Sequence, residues 1–275
     1  FGKKTDLEFI DAPEFTNRDV AYVPIQPIIE GFASPSDVIA GYDGLIYVVD
    51  EGTEQIISLD QAGREQGRAE IPGVTKIAMD RRLNILAIGT FDTTINDQSY
   101  TLAALYRLNL NTTGGFGIGS MEIIDKLIHP YYFKSSFTSV DAEVRFTGID
   151  VMADNTYYIT RTGPRDNPNQ VGGSDDGILL FNQNDDYISN VFVTTGVGFF
   201  RDYFKTPVSI TTYAKPPQSN SVDESANFFV AMADPTVPIK VQGIEFNESE
   251  FGSSYNVQLL NFTDTSEAND FLYRP

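Results

Sequence analysis

Between Phe32 and Gly63 the chain runs through three short β-rich stretches, each ended by turn residues. Phe32-Ala-Ser-Pro35-Ser-Asp37-Val-Ile-Ala-Gly41 leads through Tyr42-Asp43-Gly44 into Leu45-Ile-Tyr-Val-Val-Asp50. Glu51-Gly-Thr-Glu54 breaks that run, Gln55-Ile-Ile-Ser-Leu-Asp60 resumes it, and Gln61-Ala-Gly63 ends it. Asp43-Gly44 between two apolar runs is a tight hairpin signal, because Gly accepts the positive φ that a primed turn demands. The two-residue period of a strand puts Leu45, Tyr47 and Val49 on one face and Ile46 and Val48 on the other. Both faces are apolar, so this strand needs cover on both sides. A blade stacked between two neighbouring blades supplies that environment.

Weaker copies follow. Ile77 to Gly89 repeats the strand, turn, strand order, and Ala104 to Asn109 is expected to supply its outer strand. Phe146 to Thr160 repeats it with Asp154-Asn155 as the turn, and Gly177 to Asn182 follows as a later strand. Pro207–Thr211, Asn227–Met232 and Ile239–Ile244 make a fourth copy, and Phe271–Pro275 echoes the opening of the first. These units are spaced wider than the ~40 to 50 residues of a minimal blade. The excess falls in Phe91–Thr101, Asn111–Val144, Thr162–Asp176 and Tyr213–Ala226, which read as long loops.

The expected fold is therefore all-β: a β-propeller of about four blades and the start of a fifth, in a six-bladed or incomplete ring. The alternative is a β-sandwich, which explains the hairpins but not the recurrence of one strand and turn order. Residues 1–31, broken by Pro13, Pro24 and Pro27, read as an extended arm; residues 32–275 form the propeller domain. The unfinished unit at Phe271–Pro275 suggests a domain truncated at its C-terminus, and a first residue that is Phe rather than Met suggests a processed start.

The offsets in Phe32-x-x-Pro35-x-Asp37-Val38, Asp43-Gly44-x-Ile46-Tyr47-Val48-x-Asp50 and Ile56-x-x-Leu59-Asp60-x-x-Gly63 resemble a complete NHL repeat. Only the strand rhythm of that repeat survives in the other units. The resemblance implies a propeller of about six blades, used mainly as a rigid interaction platform, with a minority of members acting as enzymes. The features also resemble envelope propellers of Gram-negative bacteria, which are often lipoproteins. They imply a periplasmic or outer-membrane-associated location and a lipid anchor outside the sequence.

Composition narrows the chemistry. With 38 acidic and 19 basic residues the net charge is −19, which repels nucleic acids and anionic membrane surfaces; it reads first as a source of solubility, and alternatively as attraction for a basic partner or Ca²⁺. No cysteine is present, so disulfides, thiolate catalysis and iron–sulfur clusters are excluded. No apolar run approaches the ~18 residues of a membrane-spanning helix. His129 is the single histidine, so zinc sites built from two or three imidazoles are excluded. It lies in Leu127-Ile-His-Pro-Tyr-Tyr132 without a nucleophile-elbow pattern and reads as a packing residue.

Asp175-Asp176 and Asp185-Asp186 bracket the strand 178–181, with Asp166 upstream, and such carboxylates could hold Ca²⁺; as solvated turn residues they need no ion. No other cofactor is expected. Tyr131, Tyr132, Phe133 and Phe137, with Phe199, Phe200, Tyr203 and Phe204, form two aromatic clusters, read either as packing between blades or as a patch gripping a partner. Gly114-Gly-Phe-Gly-Ile-Gly119 lacks the Lys-Ser/Thr of a phosphate loop and reads as a flexible loop.

The function expected is a non-enzymatic protein-interaction scaffold, an accessory subunit of an outer-membrane or periplasmic transport or secretion complex. The alternatives are a carbohydrate-active or lyase-type enzyme using loop carboxylates, and a small-ligand-binding propeller.

Overall fold

The computed structural model describes residues 28–129, 137, 139–163, 176–195, 198–200, 203–214, 224–237, 239–247 and 250–261. Contacts divide the chain into two units, Phe1–Gly31 and Phe32–Pro275. Of the first, residues 28–31 are described and are exposed. The remainder of the expected arm, and the echo at Phe271–Pro275, lie outside the described residues.

The second unit is built of strands, with no α-helix among its described residues. Its first sheet is a meander of β1 (Pro35–Ala40), β2 (Ile46–Asp50), β3 (Gln55–Leu59) and β4 (Glu65–Glu70). The second holds β5 (Lys76–Met79), β6 (Asn84–Ile95) and β7 (Gln98–Asn109). A small hairpin of β8 (Asn111–Thr112) and β9 (Gly115–Phe116) and a 3₁₀ turn at Ile118–Ser120 follow, before β10 (Glu122–Ile128) completes that sheet on its outer side. The third is β11 (Arg145–Val151), β12 (Tyr157–Thr162), β13 (Gly177–Phe181) and β14 (Tyr187–Asn190). After β15 (Val193–Thr195) and β16 (Gly198–Phe200), the fourth meander is β17 (Pro207–Thr212), β18 (Phe228–Met232), β19 (Ile239–Asn247) and β20 (Glu250–Asn261).

Two expectations are corrected here. Ala104–Asn109 belongs to β7, the third strand of its sheet; the outer strand is β10, inside the stretch expected to be a loop. Phe91–Thr101 is also no loop, because β6 and β7 pair without interruption from Asn84↔Asn109 to Ile95↔Gln98. Polar Asp92, Thr93 and Thr94 hid this extension. It projects beyond the blade core, where alternating burial no longer marks a strand. Its two-residue turn has φ of 52° at Asn96 and 63° at Asp97, the signature of a primed hairpin.

Strand period decides the architecture. Along β6, Ile85 and Ala87 pack with Tyr47, Val49 and Ile56 of the first sheet, while Leu86 and Ile88 pack with Tyr157, Ile159 and Phe181 of the third. Along β12, Tyr157 and Ile159 face the second sheet and Tyr158 faces Phe228, Val230 and Ile244 of the fourth. Each of these sheets is therefore buried on both faces against a different neighbour. A two-layer sandwich gives a sheet one core face, so the sandwich alternative is set aside. Stacked four-stranded meanders are the blades of a β-propeller, and the described residues contain four of them. Each fully buried aromatic or branched side chain in these seams contributes about 1.5–3 kcal/mol.

Five hairpins share one turn. The N–H of Gly41, Asp60, Asp80, Met152 and Asn182 donates to the carbonyl four residues on, and the residue three on donates back to the first. The returning residue is Gly44, Gly63, Leu83, Asn155 or Asp185, each left-handed with φ between 65° and 82°. This is a three-residue loop with a bulge, not the two-residue primed turn expected at Asp43-Gly44. Side chains brace it from inside. Asp60 Oδ1 accepts from Ala62 N and Arg64 N, and Asp80 Oδ1 accepts from Arg82 N and Asn84 N. Asn182 repeats the pattern with Asn184 and Asp186. Part of the acidic composition is thus turn-building material.

Candidate functional site

The first strand of each blade lies beside that of the next, in the order β1, β5, β11, β17. Side-chain hydrogen bonds fasten the series. Ser36 Oγ donates to Thr75 O at 3.1 Å, and Ile77 N donates to Asp37 Oδ2 at 2.9 Å. Thr147 Oγ1 donates to Pro207 O, and Thr212 N donates to Asp150 Oδ2 at 2.7 Å.

These strands line a cavity of about 420 Å³ whose walls include Asp37, Val38, Lys76, Ile149, Asp150 and Thr211. Val38 is 62% exposed. Its charged groups are already engaged: Lys76 Nζ donates to Ser36 O at 3.0 Å and lies 3.7 Å from Asp37 Oδ1, while Asp150 Oδ1 accepts from Val151 N. The carboxylates here join blades, and the cavity wall mixes aliphatic residues such as Ile39 and Ile210 with polar ones such as Ser209 and Thr211.

A second charged group is buried between the second and third blades. Arg107 on β7 donates through its terminal guanidinium nitrogen to Asp80 Oδ2 at 2.7 Å and through Nε to Asp185 Oδ2 at 2.7 Å. Tyr157 Oη donates to Asp185 Oδ1 at 2.8 Å. Burial pulls the Arg107 pKa down, but the bonds to Asp185 and the nearby charges outweigh it and hold the guanidinium above its ordinary value. Burial first, and then Asp185, push the Tyr157 hydroxyl well up, so it stays a donor.

The carboxylates expected as Ca²⁺ candidates are thereby placed. Asp185 is 8% exposed and its two oxygens accept from Arg107 and Tyr157. Asp186 Oδ2 accepts from Asn182 Nδ2 within its own turn. Asp176 accepts from Thr206 N and from Gly163 N. Asp166 and Asp175 lie outside the described residues. Among the described residues no group of three or more acidic or histidine side chains is arranged to hold a metal ion.

The described members of the aromatic clusters lie in several places. Phe204 is 2% exposed, in the core between the third and fourth blades, and Tyr203 packs against it edge-on. Phe137 meets Tyr100 of the long hairpin edge-on, with ring centroids 4.7 Å apart. Phe199 and Phe200 lie on β16, opposite Thr194 and Val193. Tyr131, Tyr132 and Phe133 lie outside the described residues. His129 is buried beside Asp141, Nε2 to Oδ1 3.4 Å, with Phe146 edge-on. Sequence reasoning found the histidine and missed Asp141, which no local motif marks.

What sequence reasoning missed entirely is the difference among the outer strands. The β4 edge carries Glu65, Arg68 and Glu70, and the 3₁₀ turn packs on it so closely that a Cβ on Gly67 would sit 3.1 Å from Gly119 N. The end of the Gly114–Gly119 run is therefore docked, with Ile118 buried in the core between the first two blades, while Gly114 to Phe116 are exposed. The β20 edge is covered by β15, paired in parallel at Val193↔Phe251. The β14 edge is four residues long and exposes Ile188. Among the described outer strands β10 alone exposes an apolar pair: its first five residues are all exposed, Ile123 at 48% and Ile124 at 52%. A bulge between Ile123 and Asp125 breaks the alternation and leaves the two isoleucines side by side at the surface.

No protein-family model and no curated protein matches the chain. Among solved structures it is similar to a Bacteroides caccae protein of unknown function, at 13% identity and a TM-score of 0.45 over 82% of this chain and 64% of that one. The chain thus spans less than two thirds of that protein. It is also similar to the hydrazine synthase of Kuenenia stuttgartiensis, at 8% identity and a TM-score of 0.41 over 88% of this chain and 71% of that one. A third similarity is to the PQQ-bound aldose sugar dehydrogenase of Streptomyces coelicolor, at 12% identity and a TM-score of 0.38 over 82% of each chain. Likenesses this distant carry neither activity nor ligand to this chain.

No helix among the described residues is long and apolar enough to cross a membrane.

Proposed function

We propose that this chain is a non-enzymatic interaction propeller whose second blade presents the contact edge to a protein partner. The observation that carries the reading is the exposed pair Ile123 and Ile124 on the outer strand β10, an apolar pair that no other outer strand presents among the described residues. Exposed apolar edge strands are a liability that proteins otherwise suppress, so one left open points to use. The described carboxylates of the cavity lined by the first strands and of the Arg107 cluster serve blade joints, which favours a scaffold over acid–base chemistry.

The setting we assign is the Gram-negative envelope, with the chain an accessory subunit of a transport or secretion complex. The NHL-like block from Phe32 to Gly63 supports this. Mild extraction from native membranes followed by sizing and mass spectrometry tests it. Co-elution with a stoichiometric partner is expected; a lone monomer that turns over a polysaccharide and loses that activity with a chelator would overturn it.

A further inference from the structure

We infer that the partner's contact is an extended, positively charged segment that adds to the outer edge of β10 as a further strand. This rests on the interaction reading and names the chemistry of the same edge. Three features select the occupant. Residues Glu122 to Lys126 are exposed along a strand that ends its sheet, so backbone groups on that side face solvent and can pair with an incoming strand. Ile123 and Ile124 give the segment an apolar anchor point.

Charge supplies the third. Lys126, the one cation of β10, has its ammonium 4.0 Å above the Phe91 ring, and against it stand Glu122 and Asp125, so the strand carries a net charge of −1 with a carboxylate on each side of the anchor. The whole chain, at −19, adds attraction over longer range. A segment alternating apolar and basic residues would bury one face on the isoleucines while meeting the two carboxylates. An acidic segment would be repelled by the same groups.

Fluorescence anisotropy of the full chain with a labelled peptide of alternating valine and lysine tests this, with an alternating valine–glutamate peptide as control. Saturable binding of the lysine peptide alone is expected, weakening as salt rises. Ile124→Lys should weaken it about tenfold or more, as loss of an anchor does. Ile188→Lys on β14 should leave it unchanged; both positions are at the surface, so folding is retained.

Hydrogen exchange of the complex should show new protection of β10 amides. Equal binding of both peptides, insensitivity to Ile124→Lys, or protection confined to other strands would overturn the inference. In each case the interaction reading stands or falls separately, on whether native extracts yield a partner.

Discussion

Gly44 shows how single backbone positions set these blades. Its φ is 82°, and a Cβ at this position would meet open space, so an alanine adds conformational strain without a clash. Gly44→Ala should therefore cost about 1 kcal/mol, readable as a lowered urea midpoint with unchanged slope. Asp50 makes the complementary point with charge. It accepts from Ala33 N at 2.9 Å and Ser34 N at 2.7 Å, pinning the approach to β1, and these backbone donors hold its carboxyl below the usual range. A lowered folded-state pKa means that protonation opposes folding: the contribution is fully present above the ordinary carboxylate pKa of about 3.9 and fades as pH falls below it. Denaturation of wild type and Asp50→Asn across pH should give a stability gap that is constant near neutrality and narrows in that acid window.

At the scale of elements, the glycine-rich segment after β9 acts as a clasp. Gly67 on β4 leaves room for Gly119 of the 3₁₀ turn, and a larger residue would also press on Ile118, because a Cβ on Gly67 would lie 3.3 Å from the Ile118 Cγ2. Gly67→Val is expected to lift the turn and cost about 1–3 kcal/mol, with raised hydrogen exchange confined to β4 and residues 118–120. Such a clasp was not legible in sequence. Glycine runs signal permissive backbone, and whether that freedom serves flexibility or close packing depends on a strand distant in the chain. The same limit hid β10. Glu122 to Lys126 bears no alternation because its outer face meets solvent and a bulge interrupts its period, so the stretch reads as loop. By contrast, the alternation of Leu45 to Val49 was legible, since Tyr47 and Val49 enter the core shared with the second sheet while Ile46 and Val48 join a smaller cluster with Ile57, Leu59 and Phe32.

Across the whole molecule, the blades are joined by apolar seams with a few buried charges between them. The most highly connected of these described joints is Arg107 between Asp80 and Asp185, drawn from β7 and from turns of two blades. Arg107→Ala would strand two buried carboxylates and should cost about 3–5 kcal/mol. Paired replacement of Arg107 and Asp185 by apolar residues of similar size should recover part of that loss in thermal denaturation. No local pattern marks this cluster either. Its members are ordinary turn and strand residues in sequence, and Asp185, a Ca²⁺ candidate by position, becomes half of an ion pair once the blades stack. What the sequence did expose was the repeat, and with it the propeller; the sites depend on which blade surfaces meet and which do not.

The claim that β10 is the contact edge is tested most directly by a photo-reactive amino acid placed at position 124, with position 188 as the matched exposed control on β14. Irradiation in the native cell should yield one discrete adduct from position 124 and none from position 188. No adduct at 124, or the same adduct from both, would contradict the account.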